Sequence, residues 1–251
     1  MPVRSGALWD GQALRLTLDA PPGNVLDLAM LRDLGESIDR GVDARTKLVV
    51  LEGAGAHFSY GAAVGDHVHD RAPTMLRAFH AIFLRLIDLA VPTAAVVRGR
   101  CLGGAAELVA FCHFAFAHPD ATLAFPEIKL AVFPPIASVV LPWKIGQGRA
   151  DELILTGASI DAARALAVGL VGSVGEDPWA QLEIFARREI LPKSAVALRH
   201  GVRAARLGFH EALRRQLPTL EAAYLDELMA TPDANEGIAA FLEKRAPRWS
   251  A

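Results

Sequence analysis

The stretch Arg98-Gly99-Arg100-Cys101-Leu102-Gly103-Gly104-Ala105-Ala106-Glu107-Leu108-Val109-Ala110-Phe111-Cys112 decides the reading of this chain, because it sets one carboxylate inside a run of small and apolar residues. Thr93 to Val97 reads as a buried strand before it, Ala105 to Cys112 reads as an apolar helix, and the Gly103-Gly104 pair lets the backbone turn sharply between them. The loop therefore opens a helix N-terminus, whose unpaired N–H groups and positive dipole end face whatever lies in front. With a helix start near Gly104, Glu107 stands about one turn inside, and its carboxylate leans back toward the same spot. N–H donors and a general acid or base beside one substrate atom suit chemistry on a carbonyl compound. A close-packed turn with Glu107 as an ordinary capping residue accounts for the stretch equally well.

Outward from this stretch, strands and helices succeed one another. Ala7 to Trp9 and Ala13 to Leu18 read as a hairpin around Asp10-Gly11, and Asp27 caps a helix from Leu28 to Arg40 with Leu31, Leu34 and Ile38 on one face. Leu48 to Leu51 is a short buried strand. Gly53-Ala54-Gly55 after it imitates a dinucleotide-binding fingerprint, but Phe58 stands where the third glycine belongs. A second glycine turn, Phe58-Ser59-Tyr60-Gly61-Ala62-Ala63, leads into polar sequence and then a helix over Thr74 to Asp88. Phe114 to Ala117 and Ala121 to Phe125 read as strands, and Glu127 follows the second of them, ahead of the stiff Phe133-Pro134-Pro135. Helices over 137–145, 150–156 and 162–168 end at Gly146, Gly157 and Gly169. From Pro178 onward the pattern is helical. The spacing predicts a mixed αβ core over 1–191 carrying the active site and a helical C-terminal part over 192–251.

The 251 residues can bury a sizeable core, and 52% hydrophobic with 22% charged residues describes an ordinary globular protein. A net charge of -2 supplies no general attraction for nucleic acid or an anionic membrane, so neither partner is expected. The longest apolar run, Leu108 to Ala117, is too short to span a bilayer, and Met1 to Gly11 has no signal-peptide pattern. Cys101 and Cys112 form no C-x-x-C pair, which favours buried reduced thiols in a cytoplasmic protein. The eight histidines show no close ligand spacing, so no metal is expected. His67 and His69 are read as solvated loop residues, with the lining of an acyl pocket as the other reading. Arg199, Arg203 and Arg206 read as a solvated helix face rather than a phosphate patch.

Four blocks in order, 58–63, 102–107, Phe125-Pro126-Glu127-Ile128-Lys129-Leu130 and Glu236-Gly237-Ile238-Ala239-Ala240-Phe241-Leu242-Glu243-Lys244-Arg245, resemble the crotonase (enoyl-CoA hydratase/isomerase) family along essentially the whole chain. The resemblance implies an α/β fold, a spiral of ββα units with a C-terminal helical trimerisation part. It implies a coenzyme A thioester as ligand, no cofactor beyond the coenzyme carried by the substrate, and a homotrimer or dimer of trimers. Residue by residue, the oxyanion-hole N–H groups fall on Ala62 and Gly104, beside Gly61 and Gly103, and the two catalytic glutamates on Glu107 and Glu127. Asn24-Val25-Leu26 matches the block whose backbone lies along the coenzyme. Phe241 and Lys244 match positions that reach the coenzyme of a neighbouring subunit, although core packing explains Phe241 equally well.

Two carboxylates suit hydration, which must orient a water, take its proton and protonate carbon; double-bond isomerisation on the same fold commonly keeps one, and thioester hydrolysis is a further alternative. A non-enzymatic RNA-binding role would need a basic surface that this charge balance does not suggest. The sequence departs from the common pattern at Ala63, where Asp is usual, at Tyr60, usually a small residue, and at Pro134-Pro135-Ile136-Ala137, which replaces a glycine-rich turn. With these features it most resembles a branch of the family, the cyclic dienoyl-CoA hydratases of anaerobic aromatic degradation.

Overall fold

The computed structural model describes residues 1–68 and 70–250; His69 lies outside the described residues. Strands β1 (Val3–Leu8) and β2 (Ala13–Leu18) form the expected hairpin, antiparallel with Val3 opposite Leu18, and β1 begins earlier than the alternation alone suggests. Trp9, Asp10 and Gly11 all take positive φ in its turn. Helix α1 (Leu28–Gly41) starts where Asp27 accepts from the Met30 N–H at 2.8 Å. There follow β3 (Leu48–Gly53), α2 (Ala72–Leu89), β4 (Thr93–Val97), β5 (Arg100–Leu102), α3 (Gly104–Phe111), β6 (Phe114–Ala117) and β7 (Thr122–Ala124). Then come α4 (Pro135–Ile145), α5 (Gln147–Thr156), β8 (Ser159–Asp161), α6 (Ala162–Ala167), β9 (Ser173–Val174), α7 (Pro178–Phe185), α8 (Ala195–Ala205), α9 (Leu207–Ala222) and α10 (Pro232–Leu242). Helices α7 and α9 each run on into a single wider π-type turn, Ala186–Ile190 and Ala223–Leu228.

Six strands in the order β1-β2-β3-β4-β6-β9 make the main sheet, parallel from β2 onward, and β5-β7-β8 make a small second sheet. Every residue of β4 is buried, as a central parallel strand covered on both faces must be. The largest apolar cluster joins the sheet to α1, α2, α3 and α4, and it takes in Phe209, Leu213 and Leu217 of α9. A second, separate cluster around Met75, Val132, Tyr224, Met229 and Ile238 joins α2 to the C-terminal helices. Gly237 explains how closely α10 approaches: a Cβ there would stand 2.3 Å from the Leu130 carbonyl oxygen.

Asn24 holds the first loops together. It is wholly buried at φ 47°; its Oδ1 accepts from the Ala20 N–H at 3.0 Å, and its Nδ2 donates to the carbonyls of Ala54, His57 and Phe58 at 2.9 to 3.1 Å. Asn24→Ala strands these groups in a dry interior and is expected to cost roughly 3 kcal/mol or more of stability, read as a lower denaturant midpoint at unchanged slope.

Candidate active site

The segment from Phe58 to Gly61 zips against the chain leading to the second glycine turn. Phe58 and Ser59 N–H groups donate to the Arg98 and Arg100 carbonyls, and the Leu102 N–H returns to Ser59 O at 3.1 Å. Ser59 Oγ donates to Asn24 O at 2.7 Å and accepts from the Gly61 N–H at 3.0 Å. Gly61 has φ +89°, and a Cβ there would lie 2.3 Å from Leu102 O and 3.3 Å from Gly104 N, so the two glycine turns touch. On the far side, Leu26 N–H donates to Gly61 O and pairs Leu26 with Ala62. That pairing leaves the Ala62 N–H uncommitted, and Gly104, as the first residue of a helix, has no acceptor one turn back. Among the described residues neither N–H has an acceptor, and the two turns that carry them are in contact.

A small cavity of about 70 Å³ lies before them, and Tyr60, Ala62, Gly103, Gly104, Glu107 and Glu127 all line it. Glu107 is 3% exposed and sits in the first turn of α3. Its Oε1 accepts from the Ala137 N–H at 2.6 Å, so the carboxyl also meets the N-terminal end of α4, which begins at Pro135 because proline needs no acceptor there. Glu127 stands on a short 3₁₀ turn, Pro126–Leu130; its Oε1 would be 3.0 Å from a Cβ on Gly103, and its Oε2 is buried with no hydrogen-bond partner among the described residues.

Both carboxyls are hard to ionise. Burial and then the neighbouring Glu127 charge push the Glu107 carboxyl well up, against the pull of the Ala137 and Ile136 N–H groups, and burial pushes Glu127 up to about 7. At neutral pH the pair therefore keeps a proton beside a group that is close to releasing one. Because the unfolded chain releases the Glu127 proton near 4.5 and the folded chain near 7, native stability falls as pH rises through that window. Glu127→Gln removes this penalty: its stability relative to wild type should grow between those values and level off above, by about 1 kcal/mol or more, in melts taken across pH.

Tyr224 and His67 also line the cavity; the sequence offered His67 for the acyl pocket as its second reading and did not point to Tyr224. Tyr224, 1% exposed, arrives from the π turn after α9, and its hydroxyl lies 2.8 Å from His67 Nδ1. Burial pushes the His67 ring down to about 4, so it is a neutral cavity-lining residue and not a solvated loop histidine. Burial and the charges of Glu127 and Glu107 push the Tyr224 phenol up.

The other expected positions divide. Asn24 and Leu26 turn their side chains inward and Val25 is half-buried, so this block can offer a ligand chiefly its backbone. Tyr60 packs into the space that Gly23 leaves, where a Cβ would stand 2.4 Å from its ring. Phe241, 55% exposed, and the exposed Lys244 lie at the end of α10, outside the cavity lining. Arg206 departs from its expected solvated face: its Nη1 donates to Phe111 O at 2.7 Å and Lys144 Nζ donates to Cys112 O at 2.9 Å, so two cations close the C-terminal end of α3. Cys101 and Cys112 are buried, unbridged thiols.

Glu107 and Glu127 line one cavity together with Ala62 and Gly104, and carboxyls beside N–H donors suit acid–base chemistry on a carbonyl compound. The sequence profile of the enoyl-CoA hydratase/isomerase family matches residues 11–251, and the chain belongs to that family. It is 41% identical over 241 residues to the cyclohexa-1,5-dienecarbonyl-CoA hydratase of Thauera aromatica, covering 96% of this chain and 93% of that protein. With the mitochondrial methylglutaconyl-CoA hydratase of Rattus norvegicus it shares 31% identity over 240 residues, 90% of this chain and 75% of the other. The crystal structure of an enoyl-CoA hydratase from Mycobacterium avium superimposes with a TM-score of 0.88 at 28% identity, covering 99% of both chains. The expected spiral and its C-terminal helices are thus those of an enzyme family. Among the described residues no helix is long and apolar enough to cross a membrane.

Proposed function

We propose that this enzyme adds water to an α,β-unsaturated acyl-CoA thioester whose acyl group is a cyclic diene, without a separate cofactor. The observation that carries the reading is one cavity lined together by the carboxyl-bearing Glu107 and Glu127 and by Ala62 and Gly104, whose N–H groups open the two glycine turns. The thioester oxygen accepts from those two N–H groups, which stabilise the charge it gains when water adds. The ionised carboxylate of the pair takes the proton of a water held between the two, the water oxygen bonds to carbon, and the protonated carboxyl delivers a proton to the carbon that completes the addition. The raised carboxyls support this division, since one group must hold a proton that the other lacks.

The cyclic acyl group is supported by 41% identity to the Thauera aromatica hydratase, and by the stiff wall Phe133-Pro134-Pro135 that lines the cavity. Backbone at 24–26 runs along the coenzyme, and Phe241 and Lys244 reach the coenzyme of a neighbouring subunit in a homotrimer or dimer of trimers built through residues 192–251. The unbridged thiols support a reducing, cytoplasmic setting.

Incubation with cyclohexa-1,5-diene-1-carbonyl-CoA and separately with crotonyl-CoA, followed by mass spectrometry, tests the proposal. The expected result is the gain of one water on the cyclic diene. Water on crotonyl-CoA alone discards the cyclic substrate, an unchanged mass with both substrates discards hydration in favour of isomerisation, and free coenzyme A points to hydrolysis.

A further inference from the structure

We propose that Tyr224, held by His67, is a substrate-binding residue that hydrogen-bonds the oxygen which hydration places on the acyl ring. The inference rests on the hydration reading above. Apart from the two carboxyls and the paired N–H groups, the wall of this cavity is largely apolar, with Met75, Leu76, Phe79 and Val132 among its residues. A phenol oxygen in such a place has to be accounted for. Its ring packs edge-on against Phe133 at 5.5 Å between centroids, and a phenylalanine would fill that role without a hydroxyl.

His67 satisfies the hydroxyl only in part. One contact of 2.8 Å to Nδ1 uses either the phenol proton or one oxygen lone pair, depending on the tautomer. In both cases the phenol oxygen keeps a further hydrogen-bonding position. The phenol lines the same cavity as Glu107 and Glu127, and among the described residues Glu127 Oε2 is itself buried without a partner. One oxygen atom set among these groups satisfies both residues. That oxygen is the water on its way in and the ring hydroxyl on its way out. His67 acts as the positioning residue. It follows Ala62 by five positions, so its contact to Tyr224 also ties the segment after the first glycine turn to the C-terminal helices.

The test compares binding of 2-hydroxycyclohexane-1-carbonyl-CoA, checked by mass spectrometry to be recovered without loss of water by the reverse reaction, and cyclohexane-1-carbonyl-CoA, alongside hydration kinetics. Wild type should prefer the hydroxylated ligand by about tenfold or more, and Tyr224→Phe, which keeps the ring, should reduce that preference to about twofold. The same variant should lose about tenfold or more in kcat while KM for the diene stays within about threefold. His67→Asn, whose amide can replace Nδ1, should retain most of the discrimination, and His67→Leu should behave like Tyr224→Phe. Thermal melts report whether each variant is folded. An unchanged preference in folded Tyr224→Phe, or no preference in wild type, overturns the inference. Discrimination that depends on Tyr224 in a wild-type protein that never adds water would overturn the hydration reading alone and leave the contact supported.

Discussion

Glu127→Gln and Glu107→Gln are each expected to lower hydration turnover by roughly a hundredfold to ten-thousandfold, the usual contribution of a positioned acid or base. The fold should survive both. Glutamine at 107 keeps an amide oxygen to accept from the Ala137 N–H, which holds the present carboxyl at 2.6 Å, and glutamine at 127 fills the same volume against Gly103. Coenzyme binding should be nearly unchanged, because neither residue belongs to the block proposed to run along the coenzyme. Steady-state kinetics and melts of the two variants separate chemistry from folding, and near wild-type turnover in either one would remove that glutamate from the mechanism. Glu107→Ala should be worse than Glu107→Gln in stability as well, since it leaves a buried N–H at the head of α4 unpaired.

The second large effect is expected from a methyl group that touches no substrate. Gly61→Ala would force its Cβ to within 2.3 Å of Leu102 O at a φ of +89°, so the backbone must shift. The residue that shifts with it is Ala62, whose N–H is proposed to hold the thioester oxygen. Losing one such donor costs about a hundredfold to a thousandfold in kcat, and a displacement of about 1 Å is enough. Gly55 supplies the control, because it also has positive φ, +75°, yet has nothing within 4 Å of its would-be Cβ. Gly55→Ala should lose about 1–2 kcal/mol of stability and keep its turnover. Equal turnover losses in both variants would mean that backbone strain in general, and not the placement of Ala62, governs the rate.

Much of this architecture was legible because local chemistry demanded it. Asp27 and the Gly146, Gly157 and Gly169 stops mark helix ends by their own side-chain or backbone requirements, and the structure keeps them. The glycine turns at 61 and 103 are equally legible, since their positive φ excludes most residues. Strands β5, β8 and β9 were not. Each has three residues or fewer, too few to show alternation, and their pairing depends on partners far away in sequence. Arg206 fitted the polar side of a helix by spacing alone, whereas its stem carries the guanidinium over Phe111 to the end of α3. Tyr224 was hidden because it falls within an amphipathic helix pattern that core packing accounts for, and His67 stands 157 positions away. Both acidic residues were visible as charges in apolar surroundings, but their raised proton affinity comes from the burial that only the folded chain provides.

The floor of the cavity, made by Tyr224 and the packing of Gly237 against Leu130, has a consequence for how the enzyme comes into being. Both glutamates and both glycine turns have left the ribosome long before α10 is made. Until α10 docks on the turn that carries Glu127, that carboxyl is less well covered, and a wetter carboxyl ionises more freely. A chain cut short or nicked after residue 222 would therefore carry the proposed catalytic side chains and remain silent. The docking of α10, made long after the two glutamates, is then what readies the pair.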